Sequence, residues 1–326
     1  MHLKPIRTLL FISIAIASCV IVLLSSCSKE AESPIRIGST IWPGYELLYL
    51  ARDLGYYDDT PIELVDFPSG TEAKRAYLNG DLEGATMTAD GLISMKEKNL
   101  DVQAVLVTDV SNGGDVVLGS PTVTELSELK GKRIGVEASS LGSYMLARTL
   151  ETSGLKATDV EIVPISFAEH KSAFLAEEVD AVITFEPVRS QLLNQGANLL
   201  FDSSQIPGEV VDILTLKRSV IEEQPESLNA LIDGWFKAYD YFLENPQDGA
   251  ERMARREGIT PEEFLASLEL LHTPDLEENA QLLGKGDRSL NPVLQDLSEI
   301  MKSNGILKTS VDLESLLTSK PVEALR

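Results

Sequence analysis

The feature that most constrains the fold is a regular alternation of short apolar runs with longer amphipathic ones. The runs IRIGST (35–40) and PIELVDF (61–67) predict strands. The runs YELLYLARDLG (45–55) and TEAKRAYLNG (71–80) have apolar residues at helical spacing and a terminal glycine, so they predict helices. This alternation indicates right-handed β-α-β units and mainly parallel sheets. We therefore expect an α/β fold.

The alternation occurs twice along the chain. A second series begins near Lys130 and ends with the strand ANLLF at 197–201, and turn-rich segments at 112–120 and 203–209 separate the two series. This order predicts a chain that builds one lobe, crosses to a second and returns. The predicted divisions are a leader at 1–26, a tether at 27–34, a first lobe at 35–117, a second lobe at 118–204, and a return to the first lobe with extra C-terminal helices at 205–326.

The first 27 residues have the pattern of an exported bacterial lipoprotein. A short basic head precedes an apolar run over 9–24, and two serines then lead to Cys27, which resembles the lipidated cysteine of a lipobox. We expect residues 1–26 to be a signal peptide. Lipidation of Cys27 would anchor the protein to a bacterial membrane, facing the periplasm or the cell exterior.

Two alternatives for this leader remain open. The apolar run is slightly shorter than the roughly 17 to 25 residues of a membrane-spanning helix, and serines interrupt it. A second lipobox-like pattern ends at Cys19, but it lies inside the apolar run. Both cysteines fall in the leader, so the mature chain is expected to hold no internal disulfide. In Gram-negative lipoprotein sorting, an Asp after the lipidated cysteine signals retention in the inner membrane. By analogy, Ser28 at this position favours anchoring to the outer membrane if there is one.

Charge and histidine content exclude several function classes. The chain has 28 Lys and Arg against 51 Asp and Glu, a formal net charge of −23, and this field repels phosphate backbones. Nucleic acid is therefore excluded as a partner. His170 and His272, the two histidines beyond the leader, are far apart in sequence. We expect no metal, no cofactor and no catalytic activity.

Five motifs in order give the chain a family likeness. STIWPGYELLYLARDLGYY, VSNGGD, LKGKRIGVEASSLGSYML, VDAVITFEPV and SSQIPGEVVDILTL together resemble the substrate-binding proteins of ABC transporters in the nitrate, sulfonate, taurine and thiamine-precursor group. The resemblance covers about Ile35 to Pro274. It implies the type II periplasmic binding protein fold, with two α/β lobes, two hinge crossings and a ligand clamped between the lobes. It also implies a small-molecule ligand and an ABC permease as partners, and we expect a monomer.

Ligands of open α/β sheets bind at the carboxyl ends of the strands, so residues that follow strands are candidates for the site. Trp42 and Tyr45 follow the first strand, where an aromatic ring can stack on a flat or cationic group or simply pack beneath the loop. Thr88 and Asp90 follow another strand, and their oxygens can contact a ligand or cap the next helix.

The glycine-rich loop and the next helix start supply further candidates. Ser111, Asn112 and Asp115 surround a glycine pair and can face a ligand or turn the chain into the hinge. In the motif GVEASSLGSYML, hydroxyls and a glycine surround a helix start, where unpaired amides favour an anion. The candidates there are Ser139, Ser140, Gly142 and Ser143, and the alternative is an ordinary serine N-cap.

Two carboxylates complete the set. Glu186 ends a strand of the second series and Asp212 lies on the returning strand, and Arg189 is the basic residue close to either in sequence. Acidic walls beside an anion-friendly helix start favour an amine-bearing or zwitterionic solute, such as a taurine-like sulfonate or a pyrimidine.

Two functional alternatives to transport are considered. A sensory module that docks on a membrane receptor would use the same clamp. The yeast-type thiamine-pyrimidine synthases resemble this family too, but they use an active-site histidine, a cysteine-rich segment and a cofactor-linked lysine. The mature chain has no cysteine beyond Cys27, which disfavours that enzyme.

Overall fold

The computed structural model describes residues 33–326. The predicted signal peptide, Cys27 and most of the predicted tether lie outside the described residues. Within the described part, no helix is both long and apolar enough to cross a membrane.

The strands of residues 33–326 form two sheets. They are β1 (Ile35–Ser39), β2 (Ile62–Asp66), β3 (Gly84–Thr88), β4 (Val102–Ser111), β5 (Asp115–Gly119), β6 (Arg133–Val136), β7 (Glu161–Pro164), β8 (Ala181–Phe185), β9 (Asn198–Asp202), β10 (Val211–Lys217) and β11 (Leu271–His272). The first sheet has the order β11-β4-β10-β3-β1-β2, and the second has the order β7-β6-β8-β5-β9.

Helices cover the sheets and make up most of the chain after β10. They are α1 (Glu46–Asp53), α2 (Gly70–Asn79), α3 (Ala89–Glu97), α4 (Ser140–Ser153), α5 (His170–Leu175), α6 (Val188–Leu193), α7 (Arg218–Glu223), α8 (Pro225–Glu244), α9 (Pro246–Glu257), α10 (Pro261–Leu268), α11 (Leu276–Leu283), α12 (Asn291–Ser303) and α13 (Lys320–Glu323). This arrangement confirms the predicted α/β fold with additional C-terminal helices.

Local sequence explains why these helices start, stop and pack where they do. At α2, the Ser69 hydroxyl accepts a hydrogen bond from the amide of Glu72 at 3.3 Å, and Gly80 closes the helix with a φ of 87°. The long helix α8 buries Trp235 completely and Phe236 almost completely. These aromatic residues therefore belong to the core.

The chain changes sheets twice, and the strand that follows each change runs in the reverse direction. It leaves the first sheet after β4 and enters the second through β5, then leaves after β9 and returns through β10. Both β5 and β10 are antiparallel to their neighbours. A chain that crosses at the carboxyl edge of one sheet enters the other from its own carboxyl edge, so the new strand points the opposite way.

This reversal corrects one expectation. Among the strand pairs of the described residues, four are parallel and five are antiparallel, so the prediction of mainly parallel sheets is wrong. The strand β5 was not expected, because its five residues follow a glycine-rich turn directly. Sheet membership changes between Ser111 and Asp115 and again between Asp202 and Val211. The division into separate lobes at 117/118 and 204/205 stays a prediction.

Candidate ligand-binding site

A cavity of about 130 Å³ lies where the strand ends of the two sheets meet. Its walls come from both sheets and from the starts of α2 and α4. The lining residues are Thr40, Trp42, Tyr45, Gly70, Thr71, Ala73, Lys74, Ala85, Thr86, Met87, Thr88, Gly91, Asp115, Glu137, Ala138, Ser139, Ser140, Leu141, Phe185 and Asp212. Seven of the thirteen predicted contact residues are in this set, namely Trp42, Tyr45, Thr88, Asp115, Ser139, Ser140 and Asp212.

Strand register brings the acidic residues together. On the first sheet, Asp212 at the start of β10 is paired with Thr88 at the end of β3 and with Asp109 near the end of β4. On the second sheet, Asp115 at the start of β5 is paired with Phe185 at the end of β8. The two reversed strands therefore place their first carboxylates at the same edge as the carboxyl ends of the parallel strands.

The Asp109 carboxylate is held behind the cavity by an indole. Its two oxygens accept from Nε1 of Trp42 at 3.1 and 3.2 Å, and one oxygen also accepts from the Thr108 hydroxyl at 3.2 Å. Gly44 makes this approach possible, because a Cβ there would lie 1.8 Å from Oδ2 of Asp109. Trp42 thus has a fixed orientation, with its ring on the cavity wall.

The Asp212 carboxylate has an aromatic donor as well. The hydroxyl of Tyr45 donates to Oδ1 of Asp212, and both side chains are buried. Tyr45 and Asp212 both line the cavity, so this pair presents an oriented carboxylate oxygen beside an aromatic ring.

The Asp115 carboxylate has one oxygen without a hydrogen-bond partner among residues 33–326. The residue is 2% exposed and lines the cavity, yet its Oδ2 has no hydrogen-bond partner among residues 33–326. Asp90 is equally buried, and its Oδ2 also has no partner within the described part of the chain. An unpaired buried carboxylate oxygen is costly, so Oδ2 of Asp115 needs a donor that residues 33–326 do not provide.

Burial raises the pKa of each of these carboxylic acids. Burial and the nearby carboxylates of Asp90 and Glu186 raise the pKa of Asp115 to about 7. For Asp212 the pKa lies well above its ordinary range, because of burial and then repulsion by Asp109 and Asp115. Burial likewise raises the pKa of Asp109. A cation among these groups would favour their charged forms.

The start of α4 combines capping with a place on the cavity wall. The Ser139 hydroxyl accepts from the amide of Gly142 at 3.0 Å and is the N-cap, while the Ser143 hydroxyl donates to the carbonyl oxygen of Ser139 at 2.8 Å. Gly142 and Ser143 do not line the cavity. A Cβ on Gly142 would lie 2.4 Å from the carbonyl oxygen of Glu137, so glycine allows α4 to begin close to the end of β6.

Two predicted contact residues, Ser111 and Asn112, lie at the first sheet change and do not line the cavity. The hydroxyls of Ser111 and Ser203 are 2.9 Å apart, and Ser203 also accepts from the amide of Gly113 at 2.7 Å. Asn112 is exposed, and its amide donates to the carbonyl oxygen of Leu270 at 2.8 Å. The contacts of Ser203 join the first sheet change to the second, whereas Asn112 contacts the residue before β11.

Glu186 and Asp90 are buried near the cavity but outside its lining. Glu186 accepts from Nη1 of Arg189 at 3.1 Å and from the hydroxyl of Ser190 at 2.7 Å, so its charge is compensated within its own turn. The hydroxyls of Thr88 and Ser140 act on the pKa of Asp90 as hydrogen-bond partners, although burial is the largest influence and raises it. Asp90 therefore supports Ser140, which does line the cavity.

Several lining residues were not predicted from the sequence. Phe185 stacks on Phe167 with a centroid distance of 4.1 Å and meets Trp42 edge-on at 5.7 Å. Phe185 directly precedes Glu186 in the motif TFEPV, and this position at the end of a strand could have identified it as a lining residue. Lys74 on α2 gave no such signal, because an amphipathic pattern does not show which polar residue turns toward a cavity.

The fold, with a cavity between two sheets, is that of the type II periplasmic binding proteins. The taurine-binding periplasmic protein of Escherichia coli K12 is 23% identical over 270 residues, which cover 79% of this chain and 82% of that protein. The alkanesulfonate-binding protein SsuA from Xanthomonas axonopodis pv. citri, bound to MOPS, has a TM-score of 0.73 at 19% identity, covering 86% of this chain and 97% of SsuA.

The fold also occurs in an enzyme. The desulfurization enzyme DszB has a TM-score of 0.64 at 17% identity, covering 89% of this chain and 98% of that structure. The model of the NMT1/THI5-like family matches residues 42–249. The chain belongs to the NMT1/THI5-like family, as the five motifs predicted.

Proposed function

We propose that this protein is an extracytoplasmic solute-binding lipoprotein that captures a small amine-bearing or zwitterionic solute and delivers it to an ABC permease. The observation that carries the proposal is the buried Oδ2 of Asp115, which lines the cavity and has no partner among residues 33–326. An ammonium group would supply the missing donor, and it would also favour the ionised form of Asp212 nearby.

Aromatic rings support the same ligand chemistry. Trp42, Tyr45 and Phe185 line the cavity beside the carboxylates, and a cation over an aromatic face gains up to about 2 kcal/mol when desolvated. The E. coli relative is named for taurine, which carries an amine. Binding rather than catalysis is proposed because the carboxylates and rings account for recognition of a cation without any bond-breaking step.

Capture would proceed by closure of the two sheets around the solute. Trp42 and Asp212 come from the first sheet and Phe185 and Asp115 from the second, so the ligand would bridge both. The two sheet changes, linked by Ser111 and Ser203, would act as the hinge. Anchoring through Cys27 would keep the monomeric protein near its permease.

A thermal-shift screen of the full chain in mild detergent tests the proposal, with amines, sulfonates, pyrimidines and oxyanions as ligands. Binding raises the melting temperature by mass action. We expect amine-bearing compounds to shift it. A shift with nitrate or bicarbonate but none with any amine would contradict the proposed ligand class. Delivery is tested by whether the loaded protein stimulates the ATPase of its permease in liposomes.

A further inference from the structure

The start of α2 faces the cavity but is already occupied by a carboxylate from the other sheet. Oε1 of Glu137, directly after β6, accepts from the amide of Thr71 at 3.2 Å. Ser69 accepts from the amide of Glu72 in the same first turn. The amides of a helix start are where an anionic ligand group would bind. Here the chain's own carboxylate takes that position.

The start of α4 is also unfavourable to an anion. The Ser139 hydroxyl is used as the N-cap of Gly142, and the Ser140 hydroxyl lies within hydrogen-bonding reach of the buried Asp90 carboxylate. A sulfonate or carboxylate placed here would meet Asp90 on one side and Glu137 on the other. At both helix starts on the cavity, carboxylates of the protein itself would therefore repel an anionic ligand group.

The lining of the cavity includes one cationic side chain, Lys74, and this side chain is attracted to the Asp90 carboxylate. Lys74 lines the cavity, and the Asp90 carboxylate acts on it as an opposite charge. Burial, the largest influence, lowers the pKa of Lys74. Lys74 consequently offsets Asp90, and Asp115, Glu137 and Asp212 are the remaining acidic groups of the wall.

We propose that the cavity selects organic cations that carry no anionic group, and that Glu137 is the residue that sets this selectivity. The inference rests on the proposed function. The Glu137 carboxylate occupies the helix start that would otherwise attract a sulfonate, while the unpartnered Oδ2 of Asp115 receives the ammonium group. A zwitterion such as taurine would gain binding free energy from the contact of its ammonium group with Asp115. Repulsion between its anionic group and Glu137 would cancel that gain.

Three probes with the same two-carbon skeleton separate these charges: ethanolamine, taurine and isethionate. Isothermal titration of the full chain in mild detergent measures each one. We expect ethanolamine to bind at least about tenfold more tightly than taurine, since like charges in contact cost several kcal/mol. Isethionate should give no heat. The pair 3-aminopropan-1-ol and homotaurine repeats the comparison on a longer skeleton.

The variant Glu137→Gln removes the charge but keeps an oxygen to accept from Thr71. It should tighten taurine and weaken ethanolamine, so that the preference for ethanolamine falls by at least about tenfold. Glu161→Gln is the matched control, because Glu161 lies on the neighbouring strand β7 and is exposed. The control should keep the wild-type preference.

The outcomes distinguish this inference from the function on which it rests. If wild type binds taurine as tightly as ethanolamine, the inference is overturned and the proposed function stands. The same holds if Glu137→Gln shows the preference of Glu161→Gln. If none of the amines gives heat at high millimolar concentration, the proposed function itself fails. The wild-type comparison decides the matter even if Glu137→Gln does not fold.

Discussion

Two groups of carboxylates differ in how their charge is compensated: Glu46 and Asp66 lie around Arg256, and Asp115 and Asp212 line the cavity between the two sheets. In one group, Arg256 donates to Glu46 and to Asp66, at 2.6 Å for Asp66, and its guanidinium lies 3.7 Å from the centroid of the Tyr49 ring. In the cavity group, the main influences on the pKa of Asp115 and Asp212 are burial, hydrogen bonds from uncharged groups and repulsion by other carboxylates.

This difference indicates which acids stabilise the fold and which are available to bind a ligand. Burial raises the pKa of the buried Glu46 to about 7, although Arg256 acts to lower it. For the exposed Asp66, burial acts to raise the pKa, but hydrogen bonds from Tyr49 and Arg256 bring it below its ordinary value. Burial raises the pKa of Asp115 to about 7, with further repulsion from other carboxylates. A compensated carboxylate stabilises the native state as it stands, whereas an uncompensated one becomes favourable when a cation arrives.

Removing the internal cation should have the largest effect. We expect Arg256→Met to lower the free energy of unfolding by about 3–5 kcal/mol, because it leaves the fully buried Glu46 without its partner. Urea unfolding followed by circular dichroism measures this. Arg252→Met is the control, since its pair with Asp248 is partly exposed and should contribute much less to the free energy of unfolding. Equal losses in the two variants would remove the distinction drawn here.

Neutralising the uncompensated acid should weaken binding without weakening the fold. Asp115→Asn should lose about 10- to 100-fold in affinity for the best amine of the screen, the value of a charge-assisted hydrogen bond. Its ligand-free melting temperature should rise at alkaline pH, because a buried charge is gone. Titration calorimetry and thermal unfolding measure the two effects.

Glu186→Gln is the contrasting variant. It breaks the contact with Arg189 outside the cavity, so it should lower the melting temperature and keep amine binding. Should Asp115→Asn and Glu186→Gln behave alike in both measurements, compensation would not separate ligand sites from structural sites.

The pH dependence should have opposite signs for stability and for binding. The folded-state pKa of Asp115 is about 7, against an ordinary value of 3.8, so the folded protein binds more protons between these values. The ligand-free protein should therefore lose stability as the pH rises from about 4 through about 7. Amine affinity should increase over the same range, because ammonium binding favours the charged carboxylate.

Proton release tests this coupling directly. Titrations in buffers of different ionisation enthalpy at about pH 6 count the protons released per amine bound, and Asp115→Asn should release fewer. Affinity that falls as the pH rises would contradict the assignment of the amine to these carboxylates.

The smallest effect is expected at the indole behind the site. Trp42→Phe keeps an aromatic ring but removes the donor to Asp109, so amine affinity should fall by about 2- to 10-fold. Trp42 and the buried Trp235 are the two tryptophans of the chain. A fluorescence change on amine addition in wild type should disappear in Trp42→Phe, and its persistence would place the ligand elsewhere.

The periodicity of the sequence predicted most strands and helices and the places where the chain changes sheets. It did not predict β5, whose partners β8 and β9 are distant in sequence, and it did not predict the reversed direction of β5 and β10. A pattern of apolar residues shows that a segment is a strand. It does not show which strand lies beside it or in which direction.

Local periodicity and order in the sequence were enough to predict the α/β fold, the family likeness, the position of Trp42 after the first strand and that of Asp212 on the returning strand. The balance of charge in the site depends on the tertiary structure. Glu137 meets Thr71 across 66 residues of sequence, and Lys74 turns toward the cavity from another helix. Electrostatic compensation depends on distances between residues far apart in the chain, and folding alone sets those distances.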